Sequence, residues 1–204
     1  MSMKRILPLM LAALLYPWAS QAITISAVPS GSSFQVGNGL TVDVVVSDFG
    51  NGAAPTLGAY SFDLIYDSAV LTLTGQPVFT AFLGDTDPNL FETDIAVDLT
   101  SAGTAGVSVL SFLTDTELDA LQPADFALVS FSFNASGSGS TVVDFSSVIL
   151  TDATSGQSIV GVVQQGGVVQ VTPNNGGIPL PGTLLLVLVA VPFSFRRGLL
   201  RRRA

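Results

Sequence analysis

Leu57-Gly-Ala-Tyr-Ser-Phe-Asp-Leu-Ile-Tyr-Asp67 is the stretch that decides how the chain is read. Tyr60, Phe62, Leu64 and Tyr66 alternate with Ser61, Asp63 and Asp67. Successive side chains of a strand point to opposite faces, so large apolar groups at a period of two describe a strand with one face in a core. Asp67, followed by Ser-Ala-Val, suits the turn that ends it, because an Asp carboxylate bonds backbone N–H groups just beyond itself.

Outward from this stretch the same period recurs. Leu40, Val42, Val44 and Val46 share one face, with Thr41, Asp43 and Ser47 on the other. Ala127, Val129, Phe131 and Phe133 alternate with Leu128, Ser130, Ser132 and Asn134, and Val107, Val109, Ser111 and Leu113 do so less cleanly. Shorter runs lie at Val142–Phe145, Ile159–Val163 and Val168–Val171. Turn residues interrupt these runs every eight to twelve positions or so, which predicts an all-β fold, a two-sheet antiparallel sandwich or jelly roll. Thr114-Asp-Thr-Glu117 has the capping-box form and precedes Leu118, Leu121 and Pro123, so a short helix is expected there as a crossover. Ser136-Gly-Ser-Gly-Ser140 reads as a flexible hairpin tip.

Charge is segregated along the chain. The 204 residues carry 7 basic and 15 acidic side chains, with no His and no Cys. The basic ones are Lys4, Arg5, Arg196, Arg197, Arg201, Arg202 and Arg203, while every acidic one lies between Asp43 and Asp152. The middle segment therefore holds no cation to neutralise phosphate, which excludes nucleic acid as its partner and disfavours phosphate chemistry. Without Cys there are no disulfides, thiolate metal sites or Cys nucleophiles, and without His the commonest general base is missing.

Both ends read as addresses. Lys4-Arg5 precedes a nearly apolar run from Ile6 to Trp18, and small residues stand at Ser20 and Ala22. This is the order of a secretory signal peptide, cut after Ala22. At the other end, Pro179-Leu180-Pro181-Gly182-Thr183 opens an uncharged run from Ile178 to Phe195, which would reach roughly 27 Å as a helix, barely the hydrocarbon thickness. Arg196, Arg197, Arg201, Arg202 and Arg203 follow and would keep that terminus cytoplasmic. A marginal span closed by arginines suits transient membrane anchoring by a C-terminal hydrophobic helix.

The Pro179-Leu-Pro181 motif, the short apolar helix and the Arg cluster resemble the PEP-CTERM sorting signals of Gram-negative bacteria that make exopolysaccharide. The Ile-Pro-Leu-Pro start is similar to the VPLPA-type variant, with Leu180 where Glu usually stands. That resemblance implies export through the Sec machinery, processing by an exosortase, and delivery to the cell surface or extracellular matrix. Thr172-Pro-Asn-Asn-Gly-Gly177 separates this tail as a linker. The expected organisation is a signal peptide at 1–22, a sandwich at 23–171, a linker at 172–177 and a sorting signal at 178–204.

The middle segment resembles cohesin-like domains, whose jelly-roll sandwich is shared with carbohydrate-binding modules. The matching pieces are Val36-Gly-Asn38 before the Leu40–Val46 strand, the Leu57–Asp67 stretch with Val70-Leu71, Phe82-Leu-Gly-Asp85, Ala127–Phe133, and Leu150-Thr-Asp152 leading into Gly166–Val171. The resemblance implies a non-catalytic module whose partner is a dockerin-like protein or an extracellular polysaccharide. The alternatives are a purely structural acidic matrix protein and a two-carboxylate glycosidase. Glu92 and Glu117 are the only glutamates, and no cation stands near any carboxylate in sequence to tune it, so no catalytic residue is assigned and the chain is read as no enzyme. Sugar sites use aromatic platforms; Trp18 lies in the leader, and the remaining phenylalanines fall mostly at core-like positions. Asp85, Asp87, Asn89 and Glu92 form the densest set of oxygen ligands and are the candidates for calcium. Against that, Leu90 occupies the position where an EF-hand loop needs Gly and Ala96 the position of its last ligand, which favours a solvated turn.

Overall fold

The computed structural model describes residues 22–49 and 55–174. The signal peptide, the linker beyond Asn174 and the sorting signal, with Pro179, Pro181 and the five C-terminal arginines, lie outside the described residues. No helix among the described residues is long and apolar enough to cross a membrane.

The chain runs through β1 (Thr24–Pro29), β2 (Ser33–Gln35), β3 (Gly39–Ser47), β4 (Leu57–Ile65), β5 (Leu71–Leu73), β6 (Val78–Phe79), β7 (Thr93–Asp98) and β8 (Thr104–Ser111). Then come α1 (Asp115–Leu121), β9 (Phe126–Ala135), β10 (Gly139–Asp152), β11 (Val163–Gln165) and β12 (Gly167–Thr172). They form two six-stranded sheets. One has the order β11-β1-β3-β9-β5, with β6 also on β9; the other has the order β2-β12-β10-β4-β8-β7. This is the expected two-sheet sandwich, antiparallel throughout except at β1–β11 and β2–β12, which pair in parallel.

Alternation puts one row of each strand inside. Val42, Val44 and Val46 of β3, Tyr60, Phe62 and Leu64 of β4, and Phe131 and Phe133 of β9 are buried between the sheets. Phe62 is the hub: its ring meets Phe145 at 5.5 Å and 89°, Phe131 at 6.5 Å and 67°, and Tyr60 at 5.8 Å. Offset and edge-on pairs of this kind add to the burial of the rings themselves. Tyr66 is only half-buried and packs edge-on to Phe133 at 4.9 Å. Burial raises the Tyr60 hydroxyl well above its usual range, so it stays protonated.

Local signals account for the turns. Asp67 Oδ1 accepts from Ala69 N–H at 2.8 Å, and the Asp67 carbonyl accepts from Val70 and Leu71 N–H, so Asp67 builds the turn after β4. The capping box forms: Thr114 N–H donates to Glu117 Oε2 at 2.8 Å and Glu117 N–H to Thr114 Oγ1 at 3.4 Å. The Thr114 N–H and then its hydroxyl, both donating to Glu117 Oε2, hold the Glu117 carboxyl below its ordinary range.

Three expectations are corrected. Ser136–Ser140 is no hairpin tip, because β9 and β10 belong to different sheets and the segment is an arch between them. Ser136 and Gly137 N–H both donate to the Val70 carbonyl, and a Cβ at Gly137 would lie 2.1 Å from the Ala69 carbonyl oxygen, so this arch needs glycine for close approach. Ile159–Val163 is no strand: Gly161 takes φ 78°, and only Val163–Gln165 pairs, with β1. In β9 a register shift opposite Val44 and Val45 leaves Leu128 without a partner of its own, so Leu128 and Phe126 are buried and Ala127 is not.

An outward sheet face with apolar and acidic rows

The two outer faces differ. On the β1-β3-β9 side the outward residues are Ser26, Thr41, Asp43, Ser130, Ser132 and Asn134, with Val28 and the half-buried Val45 the apolar exceptions on those three strands and Val78 of β6 and Val163 of β11 exposed elsewhere in that sheet. On the β12-β10-β4-β8 side Ile65, Leu110, Val142, Ile149 and Val168 all reach solvent, and Phe112 extends that side just past β8. Leu110 is 46% exposed, Ile149 51% and Phe112 59%.

Strand register orders these side chains into rows. One row runs Ser146, Asp63, Gly106, Asp98 from β10 to β7. A Cβ at Gly106 would lie 2.9 Å from Asp63 Oδ1 and 3.5 Å from Asp98 Cβ, so the bare glycine lets two acidic side chains lean into one gap. The next row is Ile149, Ser61, Ser108, Ala96, and the one after it Thr151, Ala59, Leu110, Asp94. The Thr100 hydroxyl and N–H both donate to Asp98 Oδ1, which holds that carboxyl below its ordinary range and keeps it charged. No Lys, Arg or His exists between Ile6 and Phe195 to neutralise this face.

A loop borders the face at its β7 and β8 end. Asp85 N–H donates to Glu92 Oε2 at 2.8 Å, Asp87 N–H to Asp85 Oδ1 at 2.9 Å, and Asn89 N–H and Nδ2 to Asp87 Oδ1 at 2.9 and 2.7 Å. The Asn89 backbone and then its side chain hold the Asp87 carboxyl below its usual range. Sequence placed Asp85, Asp87, Asn89 and Glu92 together, and the structure does so too, in a chain of turns closed by their own carboxylates. Among the described residues no group of three or more acidic side chains is gathered as a metal site. Asp94 stands apart, on β7.

The same loop carries the residue that sequence reading missed. Phe91 is 78% exposed and its backbone takes φ 54°, a left-handed conformation that is uncommon for a bulky side chain. Phe112 N–H donates to the Glu92 carbonyl at 2.8 Å, tying the Phe91 loop to the end of β8. The phenylalanines of the domain do sit mostly in or against the core, and Phe91 and Phe112 are the exceptions. Phe112 was legible, since Val107 and Val109 inward require Leu110 and Phe112 outward; the Phe91 conformation has no sequence signal.

No family model matches the chain, and no curated protein matches it. Solved structures do. A type II cohesin domain from the cellulosome of Acetivibrio cellulolyticus superposes with a TM-score of 0.59 at 17% identity, covering 72% of this chain and 95% of that one. A non-cellulosomal cohesin from the archaeon Archaeoglobus fulgidus gives 0.55 at 14%, covering 74% and 91%. The sixth cohesin of Acetivibrio cellulolyticus scaffoldin B, solved in complex with the Cel5 dockerin, gives 0.54 at 17%, covering 74% and 99%. Sequence and structure thus agree on the architecture: the described domain has the cohesin fold.

Proposed function

We propose that the chain is an exported, non-catalytic binding module that docks a protein partner on the outer face of β10-β4-β8-β7. The observation that carries this reading is the contrast between the two outer faces. The central strands β1, β3 and β9 of one sheet show water mostly Ser, Thr, Asn and Asp, with Val28, Val78 and Val163 the exposed apolar residues of that sheet, whereas the other sheet gathers Ile65, Leu110, Phe112, Ile149, Val142 and Val168 around Asp63, Asp94, Asp98 and Asp144. Exposed apolar side chains gathered on one face mark interaction surfaces, and a few anchors near the centre carry most of the energy of such contacts. Ionised carboxylates among them select a partner with Lys or Arg opposite, by raising the encounter rate and rejecting acidic surfaces. The cohesin fold supports this reading, since one structural neighbour was solved bound to a dockerin. A dockerin-like protein is the partner we favour over extracellular polysaccharide, because among the described residues no tyrosine is fully exposed and there is no Trp, which leaves Phe91 and Phe112 as the exposed rings.

The ends complete the reading. Signal-peptide removal after Ala22, transient anchoring through 178–195 and exosortase processing at Pro179-Leu-Pro181 would deliver the module to the cell surface or exopolysaccharide matrix. Hydroxyl-radical footprinting of the exported protein in culture matrix tests the docking face. Protection of Leu110, Phe112 and Ile149, lost as salt is raised, is expected; protection confined to the β1-β3-β9 face overturns the assignment.

A further inference from the structure

Among the described residues one sheet margin is both long and open. The strands at the other margins, β2, β5, β6 and β11, have three residues or fewer, which leaves little ladder to extend. β7 has six and pairs with β8 alone. Two loop bonds fix which of its backbone groups face out. Tyr66 N–H donates to the Gly103 carbonyl at 2.9 Å, which turns the backbone groups of Ala105, Val107 and Val109 toward β4 and those of Gly106, Ser108 and Leu110 toward β7. Phe112 N–H donates to the Glu92 carbonyl at 2.8 Å and gives the same phase. Asp94, Ala96 and Asp98 therefore bond to β8, while Ile95 and Val97 turn their N–H and C=O groups away from it. On that side β7 has no neighbouring strand, and no described loop backbone takes those groups.

The side chains along this rim sort by face. Ile95 and Val97 lie opposite Val109 and Val107, on the core side, and both are partly open to water. Asp94, Ala96 and Asp98 lie on the outer side and are exposed. A second copy of the domain fits the rim badly. Pairing Ile95 with Val97 of an antiparallel copy would set Asp94 opposite Asp98 at both ends of the contact. Each domain also brings fifteen acidic side chains and no basic one from Ile23 to Phe195. Like charges directly opposite each other destabilise a strand pair, and opposite charges stabilise it.

We infer that the free edge of β7 is a further binding site, which adds to the sheet an extended segment of a partner protein in which apolar and basic residues alternate. Main-chain bonds to Ile95 and Val97 hold such a segment. Its apolar side chains cover the core-side rim at Ile95 and Val97, and its Lys or Arg side chains stand on the outer side beside Asp94 and Asp98. The two carboxylates that close the rim to another copy of the domain are the ones that admit a basic strand. The site is separate from the outer face, since it works through main-chain groups of β7 and not through Leu110, Phe112 and Ile149.

The test is amide hydrogen exchange, read residue by residue by NMR, on the exported protein with and without the capped peptide Lys-Val-Lys-Val-Lys-Val-Lys. In the free protein the Ile95 and Val97 amides should exchange nearly as fast as in an open chain. With excess peptide they should slow at least about tenfold, while Ala96 and Asp98, already bonded to β8, change little. The same peptide N-methylated at its valines keeps every charge but lacks the donors that face the rim, and it should protect neither residue. Asp94→Asn with Asp98→Asn should weaken the unmodified peptide about three- to tenfold, as expected for exposed ion pairs. Equal protection by the N-methylated peptide, or Ile95 and Val97 amides that exchange freely in excess peptide, overturns the site. Protection in the free protein that grows with its concentration makes a second copy the occupant and overturns the basic partner.

Discussion

Gln122 and Leu57 hold each other through both ends of one amide. Leu57 N–H donates to Gln122 Oε1 at 2.9 Å, and Gln122 Nε2 donates to the Leu57 carbonyl at 2.7 Å. Leu57 is fully buried and begins β4, while Gln122 caps α1, so a side chain stands in for the neighbouring strand that β4 lacks at this point. The same Nε2 reaches the Phe82 carbonyl at 3.2 Å. Removing the amide leaves two buried backbone groups unpaired, and each such group costs about 1–3 kcal/mol. Gln122→Ala is therefore expected to lower unfolding free energy by at least about 2 kcal/mol in urea denaturation. A loss under about 0.5 kcal/mol would mean that water replaces the amide without penalty.

Phe62→Ala removes the ring that Tyr60, Phe131 and Phe145 share. With 1% of the residue exposed, the loss should be about 3–5 kcal/mol, read from the denaturant midpoint at unchanged slope. Unchanged stability would place Phe62 on the wrong face of β4.

Acid should destabilise the domain, and the sign follows from the carboxylates. Asp87, Asp98, Glu117 and Asp152 are each held below their ordinary range in the folded state by hydrogen bonds to the charged form. A carboxyl depressed on folding contributes stability above its unfolded value of about 4, and that stability is lost as pH falls through its folded value. Urea midpoints should be flat from pH 7 to about 5 and fall below about pH 4. A midpoint that climbs steadily on acidification would mean that relief of repulsion among the fifteen acidic groups outweighs these bonds.

How much of this was readable in advance depends on what made each signal. The inward rows of β3, β4, β8 and most of β9 were legible because half-buried strands repeat every two residues. The parallel edges β2 and β11 were not, since three residues carry no period and their pairing is decided by where longer strands leave room. Ser136–Ser140 was misread because a Gly-Ser turn looks the same whether it joins two paired strands or crosses between sheets; only the 2.1 Å approach to Ala69 tells them apart. On the proposed docking face, Leu110 follows from alternation, whereas Ile149 depends on the bulge at Ser147, which takes φ 55° and changes the phase of β10.

Calcium is expected to do no more than screen. The Asp85, Asp87 and Glu92 carboxylates already accept from the loop's own N–H groups, so the loop closes without a cation. Melting temperatures should rise equally in CaCl₂ and in NaCl of matched ionic strength, and Asp85→Asn with Asp87→Asn should not change that equality. Saturating stabilisation by Ca²⁺ beyond the NaCl control, removed by the double variant, would establish a site at these residues.

The sorting reading predicts that replacing Arg201, Arg202 and Arg203 with Gln weakens membrane retention and processing, because the positive stop behind the apolar run is thinned. Pulse-labelled cells fractionated into membrane and medium give the answer. Release of the mature fragment at the same rate and place would contradict it.

The docking face is tested most directly by capture from culture matrix on immobilised exported protein, comparing wild type, Leu110→Ser with Phe112→Ser, and Val28→Ser on the opposite sheet. All three should melt within a few degrees of one another, since none of these side chains is buried. The account predicts that wild type and Val28→Ser retain the same Lys- and Arg-rich protein, released by high salt, and that the double variant retains at least about tenfold less, the loss of one anchor's worth of binding energy. Equal capture by all three, or retention of polysaccharide alone, would contradict it.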